Sequence, residues 1–171
     1  MSTVITPLVK KWFVGRERHQ EEFKSLIASE SENRVLFING AGGIGKTWLL
    51  RKMMNFSEID TSELLIAEDL IDMYSTANHS VAGLRERMIV LLDKKGGKSF
   101  FNEYKRGQRE FRKAKKQRLH DDILNNMRQR NEQDFLEACQ KLSEQKKVVL
   151  FLDTFEQVQQ DQVGSWVLNE L

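Results

Sequence analysis

Eight consecutive residues, from Gly40 to Thr47, have the types and the spacing that bind a chain of phosphates. They read GAGGIGKT and fit the pattern G-x-x-x-x-G-K-[ST] at every fixed position. Glycines let the backbone turn consecutive N–H groups inward, which makes a nest for an anion. The side chain of Lys46 can then reach the outer phosphates, and the hydroxyl of Thr47 can ligate Mg²⁺. The segment therefore predicts a phosphate-binding loop, the Walker A motif.

The residues on either side of the loop give it the setting that the motif requires. The apolar run at 35–38 predicts one short buried strand, and the residues after Thr47 predict a helix that continues to about Asn55. A loop between a strand and a helix ends at a helix N-terminus, where unpaired N–H groups and the helix dipole attract anions. This order of elements favours a phosphate-binding loop over an ordinary glycine-rich turn.

A second stretch, residues 146–156, supplies the carboxylate that such a loop needs. It reads KKVVLFLDTFE, so that an apolar run ends directly in Asp153. This pattern predicts a buried parallel strand over 148–153, the Walker B segment, with an acid at its C-terminal end. That acid can hold Mg²⁺ directly or through water beside the hydroxyl of Thr47. Thr47 and Asp153 are therefore the candidate metal ligands.

Together these segments resemble the beginning of a STAND NTPase, from the signal-transduction branch of the AAA+-like P-loop ATPases that includes the NB-ARC and NACHT proteins. The resemblance rests on FVGRE at 13–17, a following helix, an apolar strand, GAGGIGKT and later VVLFLDTFE. It implies an ATPase that binds ATP or ADP with Mg²⁺ and serves as a nucleotide switch in signalling or regulation. It also implies that Val14 and Arg16 lie beside the adenine base.

The candidate nucleotide-binding residues combine this adenine-side segment with the loop and the start of its helix. They are Val14, Arg16, Gly40, Ala41, Gly42, Gly43, Ile44, Gly45, Lys46, Thr47 and Trp48. In the general AAA+ pattern, an acid directly after the Walker B aspartate polarises the attacking water. Here Thr154 holds that position, and the next acid, Glu156, can take the role or can cap the following helix. The candidate catalytic residues are Lys46, Asp153 and Glu156, and slow hydrolysis is expected.

The fold class expected from these segments is α/β, with the three-layer α/β/α parallel sheet of a P-loop NTPase. Periodic apolar residues predict helices at 17–28 and 81–92, with Ser80 as the N-cap of the second helix. A second strand is expected within 64–74, with its C-terminal end near Asp72. Asp72 can face the nucleotide there or can be an acid of the following turn.

A long helical insertion is expected before the Walker B strand, at about 99–144. It is charged and free of proline, and it predicts two helices with a break near 119–122. Residues 1–11 are expected to form a flexible lead-in, and 12–171 a partial P-loop ATPase domain. The family has a further strand after Walker B, which lies between the Walker A and Walker B strands. The sheet is therefore expected to be incomplete at the C-terminus.

Composition excludes several classes of protein and site. The 171 residues carry a formal net charge of +2, so the chain as a whole is not a polycation. A single cysteine, Cys139, excludes an internal disulfide and a thiolate metal cluster, and it predicts an inert, partly buried thiol. The longest apolar run, at 148–152, is far too short to cross a bilayer. With no signal-peptide pattern at the N-terminus, a cytoplasmic protein without a membrane partner is expected.

The charge is uneven, and this leaves the partners open. Between Lys98 and Arg118 there are nine Lys or Arg and only two acids, Glu103 and Glu110. Such a stretch can bind nucleic acid phosphates, can dock a protein, or can be the solvated face of a helix. Alternatives to the STAND switch are therefore an origin-recognition-like AAA+ ATPase and a non-hydrolysing scaffold that uses this stretch. For a full-length STAND protein, self-association or other protein partners are expected.

Overall fold

The computed structural model describes residues 15–29, 34–55, 64–96 and 100–171. The expected lead-in at 1–11 lies outside these residues. Within them the strands are β1 (Leu64–Ile66), β2 (Ile71–Asp72), β3 (Lys147–Val149) and β4 (Leu152–Asp153). The α-helices are α1 (Glu17–Ala28), α2 (Lys46–Met54), α3 (Val81–Gly96), α4 (Asn102–Lys116), α5 (Asp121–Ser143) and α6 (Gln162–Asn169).

The strands form two short parallel ladders that follow one another along the same two stretches of chain. Strand β1 pairs with β3, and β2 pairs with β4, so that Ile66 lies opposite Val149 and Asp72 lies opposite Asp153. Between the ladders, one stretch has four residues, 67–70, and the other has only two. The expected second strand is thus confirmed in two parts that end at Asp72, and the Walker B strand is likewise divided.

The chain that connects β2 to β3 is helical, as a connection between parallel strands requires. It contains α3 and then the antiparallel hairpin of α4 and α5, which confirms two helices in the insertion with a break at 117–120. Helix α3 begins as expected, because the hydroxyl of Ser80 accepts a hydrogen bond from the N–H of Gly83.

Side chains from the strands point alternately to two separate cores, one on each face of the ladder. Leu65 packs with residues of α3, α4, α5 and α6, whereas Leu64 and Ile66 pack with residues of α1 and α2. Helices therefore cover both faces of a parallel sheet, which is the expected three-layer arrangement.

The segment before the glycine loop differs from its prediction. Residues 34–40 form no strand, and they exchange no backbone hydrogen bond with the strands of the described chain. Leu36 and Ile38 pack against the core shared with α1 and α2, but Val35 is 60% exposed and Phe37 is 49% exposed. The alternation of a strand is present, yet a strand also needs a hydrogen-bonded neighbour, which no local pattern can supply.

Helix α5 holds the hairpin against the rest of the domain mainly through Phe135. Its ring lies 5.5 Å from the ring of Tyr104, 5.6 Å from that of Phe101 and 5.9 Å from that of Trp166. The buried guanidinium of Arg85 lies 5.4 Å from the same ring. Phe135 thus joins α3, α4, α5 and α6 in one aromatic cluster.

We expect Phe135→Ala to lower the free energy of unfolding by about 3–5 kcal/mol, because it leaves a cavity among three rings. Urea denaturation followed by circular dichroism measures this change. The control is Ile123→Ala on the same helix, where a side chain that is 47% exposed should contribute no more than about 0.5 kcal/mol. Equal effects of the two substitutions would contradict the central position of Phe135.

Candidate nucleotide site

The glycine loop adopts the backbone conformation that an anion nest needs. Gly43 has φ +77° and Gly45 has φ +91°, both in the left-handed region that favours glycine. An ideal Cβ built at Gly43 or Gly45 would meet no atom within 4 Å, so the backbone conformation, and not crowding, explains these glycines. Gly45 directly precedes α2, and the loop therefore ends at the N-terminus of that helix, as predicted.

Lys46 lies over the loop. Its ammonium donates hydrogen bonds to the carbonyl oxygens of Gly40 at 2.7 Å and Ala41 at 3.3 Å. The ammonium of Lys46 is thus held beside the N–H groups of the loop, where a phosphate would contact both. Ile44 and Trp48 are largely exposed, at 52% and 46%, so the loop and the first turn of α2 are accessible to a ligand.

The loop and the Walker B strand meet through a side-chain hydrogen bond. The Thr47 hydroxyl donates to Oδ2 of Asp153 at 2.8 Å, across 106 residues of sequence. Both groups are oxygen ligands of the kind that Mg²⁺ prefers, and Mg²⁺ commonly takes one or two protein ligands besides phosphates and water. The two residues therefore fit the expected ion. The described residues contain no cluster of three or more His, Cys, Asp or Glu that could bind a metal without such partners.

Arg16 is also brought to the loop. It precedes α1 with φ +63°, and its guanidinium donates a hydrogen bond to the carbonyl of Ile44. This contact joins the segment expected beside the adenine to the segment expected around the phosphates. Val14 lies outside the described residues.

The acids near the end of β4 are arranged differently from the general AAA+ pattern. Thr154 has φ +60°, a left-handed conformation that is uncommon for a residue with a side chain. Its N–H donates to Oδ1 of Asp153 at 3.1 Å, and its hydroxyl donates to Oδ1 of Asp72 at 3.5 Å. Glu156 lies exposed in the 3-10 turn Phe155–Gln157, and its carboxylate makes no hydrogen bond or ion pair within the described chain.

Sequence reasoning gave Asp72 no firm role, because a lone acid after a short strand has no distinctive pattern. The available signal was its place at the end of a strand, where ligands gather in open α/β sheets. In the structure it lies directly opposite Asp153 in the parallel ladder. The two carboxylates line one cavity of about 470 Å³.

A glycine loop at a helix N-terminus, joined to a carboxylate at the end of a parallel strand, defines a P-loop nucleotide-binding domain. A family model described as AAA ATPase domain matches residues 12–165. The chain therefore belongs to the AAA ATPase domain family, which implies the P-loop α/β fold and nucleotide binding. No match to the chain was found among curated proteins or among solved structures.

The helices of the described ranges do not meet the requirements of a membrane span. None of them combines the length and the apolar composition needed to cross a bilayer.

Cys139 lies apart from this site, on α5, and it is partly buried against the core that contains Leu65. Burial raises the pKa of its thiol to about 12, although the positive charge of Arg85 lowers it in part. The thiolate, which is the reactive form, is therefore disfavoured in the folded chain. This agrees with the inert thiol expected from the sequence.

We expect iodoacetamide to modify Cys139 roughly a thousandfold more slowly in the folded chain than in urea at pH 8, because a pKa raised to about 12 removes most of the thiolate. The stability that the neutral thiol contributes is complete below pH 9 and is lost as pH rises towards 12, since the unfolded state ionises first. Mass spectrometry of timed samples measures the rate. Similar rates in both states would contradict a buried thiol.

Proposed function

We propose that this chain is the nucleotide-switch module of a STAND-type signalling or regulatory ATPase, which binds ATP or ADP with Mg²⁺ and hydrolyses ATP slowly. The observation that carries the proposal is the hydrogen bond between Thr47 and Asp153, because it joins the two motifs at the place where a magnesium–nucleotide complex would lie. The GGIGKT and DTFE segments favour the STAND class over the origin-recognition-like alternative.

Each motif has a separate role in this proposal. The N–H groups of residues 40–47 and the ammonium of Lys46 bind the β- and γ-phosphates. Thr47 and Asp153 hold Mg²⁺, which when bound neutralises charge on the phosphate oxygens. Val14 and Arg16 hold the adenine, and the contact of Arg16 with Ile44 agrees with a position near the loop. Glu156 is the acid that the sequence offers for the attacking water.

We expect Lys46→Ala to weaken binding of Mg-ATP and Mg-ADP by about 10–100-fold, because it removes a charged hydrogen-bond donor to phosphate. Isothermal titration calorimetry measures both affinities, and circular dichroism checks that the variant is folded. The matched control is Lys52→Ala, which removes the same charge from the last turn of the same helix and should leave affinity unchanged. A folded parent chain that binds neither nucleotide would refute the proposed function.

A second candidate function is binding of nucleic acid, and the geometry of α4 favours it. Arg109, Lys113 and Lys116 are spaced by four and three residues, so they lie on one exposed face of the helix, which we call the basic face. The opposite face carries Tyr104 and Ala114, which are buried. Residues of the basic face form no ion pair with the described residues.

The surroundings of the basic face favour a phosphodiester backbone over a lipid surface. Two of the neighbouring cations are already paired, Lys105 with Asp93 and Arg112 with Glu86, whereas Lys115 and Arg118 form no ion pair with the described residues. No large apolar side chain is exposed on α4 within the described chain, whereas a helix that binds a bilayer needs an apolar face to insert. The basic face has three cations within two turns of helix. Such closely spaced cations suit the phosphates of a nucleic acid duplex, which carries one negative charge per about 1.7 Å of its axis.

We expect the triple variant Arg109→Gln/Lys113→Gln/Lys116→Gln to weaken binding to a labelled 20-bp duplex, because fewer phosphates are then neutralised by the protein. The slope of log K against log salt should fall by about 0.9 for each phosphate that the variant no longer neutralises. Fluorescence anisotropy at several salt concentrations measures both effects.

The control for this experiment removes three exposed charges elsewhere, Arg18→Gln/Arg34→Gln/Lys141→Gln. It has the same net charge and should keep most of the affinity. Equal losses in the two triple variants, or tighter binding to anionic vesicles or polyglutamate than to duplex DNA and RNA, would contradict nucleic acid binding by the basic face.

A further inference from the structure

Four residues at the ends of the loop and the strands form a continuous chain of hydrogen bonds. The hydroxyl of Thr47 donates to one oxygen of Asp153, and the N–H of Thr154 donates to the other. The hydroxyl of Thr154 then donates to Oδ1 of Asp72. The chain thus runs from the candidate metal site to a second carboxylate on the neighbouring strand.

We propose that Asp72 is the acid that accepts the proton of the attacking water, in place of an acid next to Asp153. This inference rests on the proposed ATPase function. The position after Asp153 is a threonine, so a carboxylate must come from elsewhere if a general base is used. The parallel register places the Cα of Asp72 opposite that of Asp153, at a strand spacing of about 4.8 Å.

The surrounding turn fixes the carboxylate of Asp72. The N–H of Tyr74 donates to Oδ1 at 2.9 Å, and the amide of Asn78, which is buried, donates to the backbone carbonyl of Asp72 at 2.7 Å. The ring of His79 makes a further contact, at 2.7 Å from the carbonyl of Met73. Tyr74 therefore holds the carboxylate of Asp72 itself, whereas Asn78 and His79 hold the backbone of the turn that carries it.

The free oxygen of Asp72 is available to a water molecule. Both hydrogen bonds to the carboxylate reach Oδ1, and Oδ2 contacts no polar group of the described residues. The residue is exposed, and it lines the same cavity of about 470 Å³ as Asp153. A water in that cavity can therefore donate to Oδ2 of Asp72, which among the oxygens of the two carboxylates is the one that accepts no hydrogen bond from the described residues.

Thr154 has a positioning role. Its left-handed backbone conformation is unfavourable for a residue with a side chain, and such strain is concentrated at functional sites. The conformation aims the hydroxyl at Asp72, which leaves the lone pairs of that oxygen free to accept a hydrogen bond from water. Water between Thr154 and Asp72 would therefore be held by two groups on adjacent strands.

The reaction balances with the groups named. The water oxygen forms a bond to the γ-phosphorus, and the bond from that phosphorus to the β,γ-bridging oxygen breaks. The electron pair leaves with ADP, and the proton of the water passes to Oδ2 of Asp72. The proton then leaves with phosphate or to solvent.

The test compares Asp72→Asn with Glu156→Gln in the full chain. Calorimetry gives the affinity for Mg-ATP, a phosphate-release assay gives turnover, and gel filtration gives retention of ADP·aluminium fluoride, which mimics the transferring phosphate with its water. We expect Asp72→Asn to keep the Mg-ATP affinity within about threefold, to lower turnover by about a hundredfold or more, and to lose ADP·aluminium fluoride. Glu156→Gln tests the competing assignment, and we expect it to lower turnover far less than Asp72→Asn does.

Two further variants separate a chemical role of Asp72 from a structural one. Asp69 lines the same cavity, and its carboxylate pairs with Arg87. The variant Asp69→Asn removes this carboxylate and should behave as the parent chain. Adding Thr154→Glu to Asp72→Asn returns an acid to the usual AAA+ position, and it should restore part of the turnover and the retention.

The outcomes distinguish the two levels of the proposal. Loss by Glu156→Gln with no loss by Asp72→Asn would assign the role to Glu156 and overturn the inference. Loss of Mg-ATP affinity in Asp72→Asn would show a structural role and would also overturn it, as would a parent that binds Mg-ADP but never retains ADP·aluminium fluoride. A folded parent that binds no nucleotide would refute the proposed function itself.

Discussion

The structure depends on the parallel register between residues 64–72 and 147–153. Because side chains alternate along a strand, a shift by one residue would move Leu64 and Ile66 from one core to the other. The same register fixes which residues meet at the carboxyl ends, where Asp72 lies opposite Asp153. The two cores and the candidate site are therefore set by one constraint.

This constraint includes two extra residues on the first stretch, between β1 and β2. They let both ladders form although the stretches differ in length, and they bring Asp72 level with Asp153. Such local irregularities redirect side chains near active sites in other proteins. Here the consequence is that two acids end at the same height of the sheet.

Helix α1 and the glycine loop are joined to the Walker B stretch, residues 147–153, by side chains. Side chains are needed because residues 34–40 form no ladder with the described strands. Phe23 of α1 contacts Phe151, with ring centres 5.7 Å apart, and Lys147 donates hydrogen bonds to the carbonyls of Ile27 and Ser29 at the end of α1. The hydrogen bond from Thr47 to Asp153 is a further connection. Groups that would bind the nucleotide thus also hold the two halves together.

The sequence predicted the features that depend on local pattern. Helices α1, α2 and α3 follow apolar periodicity, and the break between α4 and α5 lies where the sequence indicated it. The glycine loop at 40–47 and Asp153 are candidates from sequence alone because the chemistry proposed for them requires fixed spacing within a few residues. The N-cap at Ser80 is likewise a local effect of one side chain on the first turn of a helix.

The features that the sequence did not predict depend on residues far apart in the chain. Residues 35–38 have the pattern of a strand, but pairing is decided by a neighbour elsewhere. Glycine ordinarily weakens a helix, yet a Cβ at Gly107 would lie 1.9 Å from the side-chain oxygen of Asn131, so glycine here permits the close approach of α5. Contacts between helices of a hairpin are not visible in either helix alone.

The same distinction explains why the acid for water activation is hard to find by motif. A motif search examines the residues after Asp153 and finds Thr154, then Glu156. In three dimensions the nearest neighbours of a strand end are the ends of adjacent strands, since these are about 4.8 Å apart while residues along the chain turn away. Thr154 turns its hydroxyl across the ladder to Asp72, whereas Glu156 has already left the strand in a 3-10 turn. A threonine after the Walker B aspartate is therefore compatible with hydrolysis, provided that the register of the ladder is kept.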